Sequence, residues 1–175
     1  RDVERTITPR PRVPRYPERQ VTSQIFLLSP ANCGGRRAAM VMSERATFEL
    51  AVQLRTSEGA PIGDVFAFLS GLYFRGKLAY ARAFARPPDP DSALSGAGTF
   101  VITPNAGLRS IDTPVTLGAL QNFARVDIDS ANAKYRRPLE DSARAIADDV
   151  GPACGVVLLG SIASPKYVDV LQGTF

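Results

Sequence analysis

Three short, largely apolar runs along the chain have the length and composition of buried β-strands. They are Ile25–Leu28, Thr99–Thr103 and Val156–Leu159. An apolar run of this length is typical of a strand covered on both faces, as strands of a parallel sheet are. The alternation of apolar and polar residues over Arg125–Ile128 predicts a further, edge strand.

Between these runs, apolar residues recur every three or four positions, which is the spacing of amphipathic helices. The helices predicted in this way lie at 44–55, 62–72, 77–85, 115–123, 138–150 and 166–171. Gly71 and Gly76 predict a break between the second and third, because glycine costs about 1 kcal/mol in a helix interior. Pro138, and Ser164 followed by Pro165, are residue types that begin helices.

Strands that alternate with helices at this spacing form right-handed βαβ crossovers, in which the strands lie parallel. The pattern therefore predicts an α/β fold, a Rossmann-like three-layer sandwich with a mostly parallel sheet of about four or five strands. We expect residues 21–175 to form one domain. Whether this domain is a fragment that lacks its C-terminal end stays open. Residues 1–20, with four prolines among six arginines, are predicted to be an extended N-terminal arm.

The residue types that the chain lacks exclude several kinds of catalytic and metal-binding site. The chain has no histidine, which excludes Ser-His-Asp and Cys-His nucleophiles and His-ligated zinc. With two cysteines, neither a disulfide scaffold nor a four-cysteine zinc site is expected, and the predicted compartment is the cytoplasm. Asp127, Asp129 and Asn132 lack the Gly and the closing Glu of a calcium loop, so no metal is predicted. No cofactor is expected either.

The net charge of +4 comes mainly from the arm, since residues 1–20 hold six arginines and three acidic residues and so carry +3. The rest is nearly neutral, which argues against a broad nucleic-acid-binding face on the folded part. The arm itself keeps a nucleic-acid or protein interaction module open as an alternative function. No apolar run approaches the roughly 20 residues of a membrane helix, so no membrane partner is expected.

Each predicted parallel strand is followed by a turn of small and polar residues. Because the carboxyl ends of parallel strands meet at one edge of a sheet, we expect these turns to lie side by side. Two of them share the order Ser/Thr-Pro, Asn, Gly, Arg. The residues expected to bind a ligand, from these turns and from the predicted helix break, are Asn32, Gly34, Gly35, Arg36, Arg37, Arg75, Asn105, Gly107, Arg109, Gly160, Ser161, Ser164 and Lys166.

Amides of glycine-rich turns and the side chains of arginine and lysine bind phosphate and carboxylate groups. The turns therefore predict a small anionic or nucleobase-like ligand, such as a nucleotide, a nucleoside, a phosphorylated sugar or a base. A carboxylate beside such a pocket can act as nucleophile or general base at a glycosidic carbon, where histidine is not required. Asp112 and Tyr167, each close in sequence to one of the turns, are the candidate catalytic residues. Whether the protein is an enzyme, the role of Cys33 and the oligomeric state stay open.

Four segments, in the order in which they occur, resemble an uncharacterised bacterial family: Leu72–Ala81, Phe100–Leu108, Asp112–Leu117 and Leu158–Tyr167. That family is similar to small α/β domains of unknown function found near, or fused to, enzymes of deazaguanine and archaeosine tRNA modification. The resemblance, one of pattern over residues 24–171, implies a Rossmann-like fold and a role near nucleobase or nucleoside chemistry. The related domains often have a Lys- and Cys-rich first turn and a His before a Gly-Leu pair. Here Asn32–Gly34 and Asn105–Gly107 stand instead, so no catalytic step is carried over.

Overall fold

The computed structural model describes residues 23–160 and 165–175. The predicted arm and two predicted site residues, Ser161 and Ser164, lie outside the described residues. The elements of the described part follow in chain order as β1 (Gln24–Leu28), α1 (Arg36–Met42), α2 (Glu49–Leu54), β2 (Ala60–Pro61), α3 (Ile62–Ser70), α4 (Leu72–Phe84), β3 (Thr99–Ile102), β4 (Leu108–Ser110), β5 (Pro114–Val115), α5 (Leu117–Phe123), α6 (Ala133–Val150), β6 (Gly155–Leu159) and α7 (Pro165–Gln172).

Four strands form the main sheet, in the order β4-β3-β1-β6. β1 pairs in parallel with β3 on one side and with β6 on the other, so that Leu27 lies between Phe100 and Leu158. β4 runs antiparallel to β3 at one edge, and β2 and β5 form a separate two-stranded ladder. The described chain is thus a mixed α/β structure with a four-stranded, mostly parallel sheet, as the alternation of strands and helices predicts.

The alternating side chains of β1 belong to two separate apolar clusters. Phe26 and Leu28 pack with buried residues of α1 to α5, whereas Ile25 and Leu27 pack with buried residues of α6 and α7. A strand whose successive side chains point to opposite faces has to be apolar throughout when both faces are covered. This explains the unbroken apolar run in β1.

The strand β6 was expected to be equally covered, and this expectation is wrong in part. β6 is an edge strand of the sheet, and all five of its residues are only half-buried. Its side chains reach the margins of both clusters, with Val157 and Leu159 on one face and Val156 and Leu158 on the other. The apolar run of β6 therefore reflects two partly covered faces, and not a central position in the sheet.

The predicted helix break falls at Gly71. Its φ of 67° is in the left-handed region that favours glycine, and the guanidinium group of Arg37 lies where a β-carbon would stand. Gly76, by contrast, is inside α4, which begins five residues earlier than expected. Burial of Phe74 and Leu78 stabilises this helix by about 1.5–3 kcal/mol for each side chain, more than the roughly 1 kcal/mol that Gly76 costs.

Helix α6 also begins earlier than Pro138, which lies inside it. The side chain of Asn132 caps the helix by accepting the N–H of Lys134 at 3.1 Å. Tyr135 and Leu139, both fully buried, anchor the first turns against the sheet. The cap and this burial outweigh the interruption by proline.

Two further expectations about local structure are wrong. Residues 125–128 form no strand; they follow α5 as irregular chain. Arg36 and Arg37, expected in the turn after β1, instead begin helix α1, in which Ala38 and Val41 are buried three residues apart. The helix predicted at 44–55 is reduced to α2.

Among the described residues, none of the helices has the length and apolarity that crossing a membrane requires.

Candidate functional site

A cavity of about 760 Å³ lies at the carboxyl ends of the parallel strands. Ser29 and Pro30 directly follow β1, Pro104 follows β3, and Lys166 and Tyr167 belong to the helix after β6. Small-molecule sites typically have volumes of roughly 300–1,000 Å³ and lie beyond the carboxyl ends of strands in open α/β sheets. The remaining lining residues are Ala31, Asn32, Cys33, Gly34, Ser70, Tyr73, Lys77, Phe123, Ala124, Val126, Asp127, Ile128 and Asp129.

Four of the predicted site residues line this cavity: Asn32, Gly34, Lys166 and Tyr167. The side-chain oxygen of Asn32 accepts the N–H of Gly34 at 3.0 Å, which closes a turn. This amide is therefore used within the loop. Gly35 lies beside the Asn32 amide group, which a β-carbon would approach to 3.2 Å. The two glycines thus shape the loop around Asn32.

Gly160 lies beside two residues that line this cavity, Ser29 and Tyr167. A β-carbon at this position would overlap the side chain of Ser29 and lie 3.4 Å from the hydroxyl oxygen of Tyr167. Glycine at 160 consequently lets β6 end close against the end of β1. Ser161 and Ser164, the next predicted residues, lie in the part of the chain that is not described.

The predicted arginines are not among the lining residues of the cavity. Arg36 and Arg37 are on α1, where a guanidinium nitrogen of Arg37 donates to the carbonyl of Phe68 at 3.2 Å. Arg75 lies in a different surface hollow, together with Glu49 and Asp64. Arg109 is an exposed residue of β4, the antiparallel edge strand.

The turn after β3 is built for packing. Gly107 has a φ of 69°, and a β-carbon there would run into the carbonyl of Pro138 in α6. The hydroxyl of Thr103 donates to the carbonyl of Gly107 at 2.7 Å and accepts the N–H of Ala106 at 2.9 Å. Asn105 donates to the carbonyl of Asn122 at 3.3 Å. Of this turn, Pro104 reaches the cavity.

Asp112, the predicted catalytic carboxylate, is exposed and lies outside the cavity lining. It forms an ion pair with Arg82, with 3.6 Å between a carboxylate oxygen and a guanidinium nitrogen. The structure therefore does not bring Asp112 together with Tyr167. Two other carboxylates, Asp127 and Asp129, line the cavity instead.

Lys77 lines the cavity but was not among the predicted site residues. Its ammonium nitrogen donates to the hydroxyl oxygen of Ser29 at 2.5 Å, across 48 residues of chain. The same nitrogen lies 5.3 Å from the ring centroid of Tyr73 and 5.2 Å from that of Phe74. Partial burial lowers the pKa of Lys77 below its ordinary value. The signal in the sequence was a lysine at helical spacing from both rings.

The charges that line the cavity balance, with Lys77 and Lys166 against Asp127 and Asp129. The carboxylate of Asp129 accepts the N–H of Ala131 at 2.9 Å. Among the described residues, no three His, Cys, Asp or Glu side chains are grouped as a metal site would require. The lining thus combines cations, carboxylates and apolar surface.

Cys33 lines the cavity but is buried, and its sulfur lies 3.6 Å from the carbonyl oxygen of Ala31. Burial raises the pKa of this thiol to about 12. Because the thiolate is the nucleophilic form, this burial argues against Cys33 as a nucleophile at neutral pH.

No protein-family model matches the chain, and neither the curated proteins nor the solved structures contain a significant match to it.

Proposed function

We propose that this protein has a Rossmann-like three-layer fold and binds a nucleotide, nucleoside or nucleobase in the cavity at the carboxyl ends of β1, β3 and β6. The observation that carries this proposal is the position of the cavity, because open α/β sheets bind ligands beyond the ends of their parallel strands. The two apolar clusters, one on each side of β1, support the three-layer description. The resemblance to domains that accompany deazaguanine enzymes favours the same ligand class.

The chemistry of the lining supports a ligand with both a flat apolar part and hydrogen-bonding groups. Tyr73, Phe123 and Val126 provide apolar surface for a planar base. The carboxylates of Asp127 and Asp129 accept hydrogen bonds from hydroxyl or amine groups, as ribose and nucleobases offer. Because these carboxylates offset the two lysines, a nucleoside or base fits the lining better than a polyphosphate does.

Processing of the bound ligand at a glycosidic bond is the enzymatic form of the proposal. Such a reaction needs a carboxylate near the anomeric carbon and no histidine. Within the cavity this carboxylate is Asp127 or Asp129, whereas Asp112 lies elsewhere.

Isothermal titration calorimetry with a nucleoside, its monophosphate and its free base tests the proposal. Lys166→Met and Asp127→Asn each remove a charged partner from the lining, which costs about 1.5–3 kcal/mol, so Kd rises roughly 10-fold or more. Arg109→Met, on the exposed edge strand, is the matched control and leaves Kd unchanged. Absence of binding by all three ligands, or equal loss in the control, contradicts the proposal.

The alternative function rests on the charge of the arm, which lies outside the described residues. If residues 1–20 are the binding element, deleting them abolishes binding of nucleic acid or of a protein partner. For nucleic acid the deletion also flattens the salt dependence, since each phosphate contact contributes to its slope. Nucleoside binding in the cavity is unaffected by this deletion under the main proposal.

A further inference from the structure

Ser29 and Lys77 are held together by two rigid elements. Ser29 directly follows β1, and its backbone N–H is fixed by a 3.0 Å hydrogen bond to the carbonyl of Leu159 in β6. Lys77 belongs to α4, which packs on β1 through the edge-to-face rings of Tyr80 and Phe26, 5.8 Å apart. The close approach of hydroxyl and amine is therefore built into the fold.

Both groups line the cavity, and both are wholly or partly removed from bulk water. Ser29 is 9% exposed, and Lys77 is half-buried against two aromatic rings. The ion pairs found among the described residues do not include Lys77. The other titratable or charged groups that line the cavity are Cys33, Tyr73, Asp127, Asp129, Lys166 and Tyr167. An amine in such surroundings loses its proton more readily than an exposed lysine, and can then accept the proton of a neighbouring hydroxyl.

We propose that Ser29 is a nucleophile activated by Lys77, and that the cavity hydrolyses a carboxylic ester. With Lys77 in the neutral form that a general base requires, Asp127 and Asp129 outweigh the single charge of Lys166, so a neutral carbonyl electrophile is favoured over an anionic phosphoryl group. The serine-lysine pair is a known way to activate a hydroxyl without histidine, and this chain has none. The inference goes beyond ligand binding and does not depend on the ligand being a nucleoside.

The reaction has two balanced halves. Lys77 takes the proton of the Ser29 hydroxyl while the Ser29 oxygen adds to the ester carbonyl carbon. The bond between this carbon and the alcohol oxygen then breaks, and the alcohol oxygen takes the proton from Lys77. In the second half, Lys77 removes a proton from water, whose oxygen attacks the acyl-serine, and Ser29 leaves with that proton. The net reaction is ester plus water to acid plus alcohol.

The negative oxygen that forms at the carbonyl needs hydrogen-bond donors. Asn32 and Lys166 line the same cavity and carry such donors, an amide NH₂ and an ammonium group. They are the residues that we assign to stabilise this oxygen.

A fluorophosphonate probe, which reacts with activated serine hydroxyls, tests the inference on the full chain. We expect labelling at one residue, identified as Ser29 by peptide mass spectrometry. Labelling rates rise with pH, with a midpoint below the ordinary lysine value of about 10.4. Lys77→Met reduces the rate at least 10-fold, and hydrolysis of a p-nitrophenyl ester falls in parallel. Ser57→Ala, at an exposed site outside the cavity, is the matched control and leaves both rates unchanged.

The site of labelling in the unmodified protein requires no variant to fold. Unlabelled Ser29, or labelling of Ser29 that is unchanged in folded Lys77→Met, overturns the inference. Folding of each variant is checked by circular dichroism and melting temperature. Nucleoside binding is measured separately, so loss of ester chemistry with intact binding refutes this inference alone. The reverse result refutes the binding proposal alone.

Discussion

Gly160 lies directly against the side chain of Ser29, at the point where β6 and β1 end next to each other. A β-carbon at position 160 would overlap both side-chain atoms of this serine. The glycine therefore allows the chain at the end of β6 to lie against the residue that we propose as nucleophile.

Gly160→Ala is expected to destabilise the protein by about 1–3 kcal/mol, the usual range for overpacking. It also displaces Ser29 from Lys77 and so slows fluorophosphonate labelling. Urea unfolding and labelling rates measure the two effects. Gly118→Ala is the control, since a β-carbon at 118 meets nothing within 4 Å. Equal labelling in Gly160→Ala and the parent protein is incompatible with this account of the contact.

Two glycines of the α3–α4 region should respond to alanine in opposite directions. Gly76 is inside α4 and has open space around a β-carbon, so Gly76→Ala stabilises the protein by up to about 1 kcal/mol. Gly71 has a positive φ and faces the Arg37 guanidinium, so Gly71→Ala destabilises it by about 1 kcal/mol or more. Thermal and urea unfolding of the pair report both signs. Destabilisation by Gly76→Ala contradicts the helical assignment.

The lowered pKa of Lys77 makes its contribution to stability dependent on pH. In the unfolded chain this lysine keeps its proton up to about pH 10.4, whereas in the folded protein it loses the proton at lower pH. The unfolded state therefore binds more protons in this window, and the contribution of Lys77 to stability rises as pH increases through it. Relative to Lys77→Met, the parent protein should gain stability as pH rises from the lowered pKa of Lys77 towards about 10.4, the ordinary lysine value. Urea unfolding is measured for both proteins at several pH values, so that the contributions of the other titrating groups cancel in the comparison. A difference in unfolding free energy that does not change with pH contradicts the lowered pKa of Lys77.

Tyr135 is fully buried, and its hydroxyl has no hydrogen-bond partner among the described residues. Burial, and next the nearby Tyr167, raise the pKa of this phenol, which stays protonated at neutral pH. Because an unsatisfied buried hydroxyl costs about 1–3 kcal/mol, Tyr135→Phe should be neutral or stabilising by roughly 1 kcal/mol. Tyr80→Phe, at a half-exposed position, is the comparison and should change stability very little. Strong destabilisation by Tyr135→Phe would show that the hydroxyl is bonded.

The three parallel strands of the sheet could be predicted from the sequence because their signal is local, whereas the antiparallel edge strand β4 lies where a turn was predicted. The runs that became β1, β3 and β6 are short, apolar and bounded by turn residues, and helices lie between them. The limits of α4 and α6 were less predictable, since burial of residues such as Phe74 and Tyr135 outweighs the local preferences of Gly76 and Pro138. Tertiary packing, which periodicity does not contain, decided these boundaries.

The position of the candidate site was predictable, but most of its chemistry was not. The turns after β1 and β3 share a sequence order, yet Gly107 serves a close approach to α6 and Arg109 continues into an edge strand. Lys77 lies 48 residues after Ser29 in the chain, so no local sequence pattern predicts that these two side chains are in contact. The positions of residues that follow strands can be predicted from the topology, whereas side chains that reach the cavity from a helix can be assigned only from the three-dimensional structure.

The central claim is that the cavity beside Ser29 is where this protein binds its ligand. Titration of isotope-labelled protein with a nucleoside, followed by amide chemical shifts, tests it most directly. We predict shifts concentrated at Asn32, Lys77, Asp127 and Lys166, with Arg75 and Arg109 unchanged. Saturable shifts confined to Arg75, Arg109 or the exposed face of α4, with none around the cavity, would contradict the account.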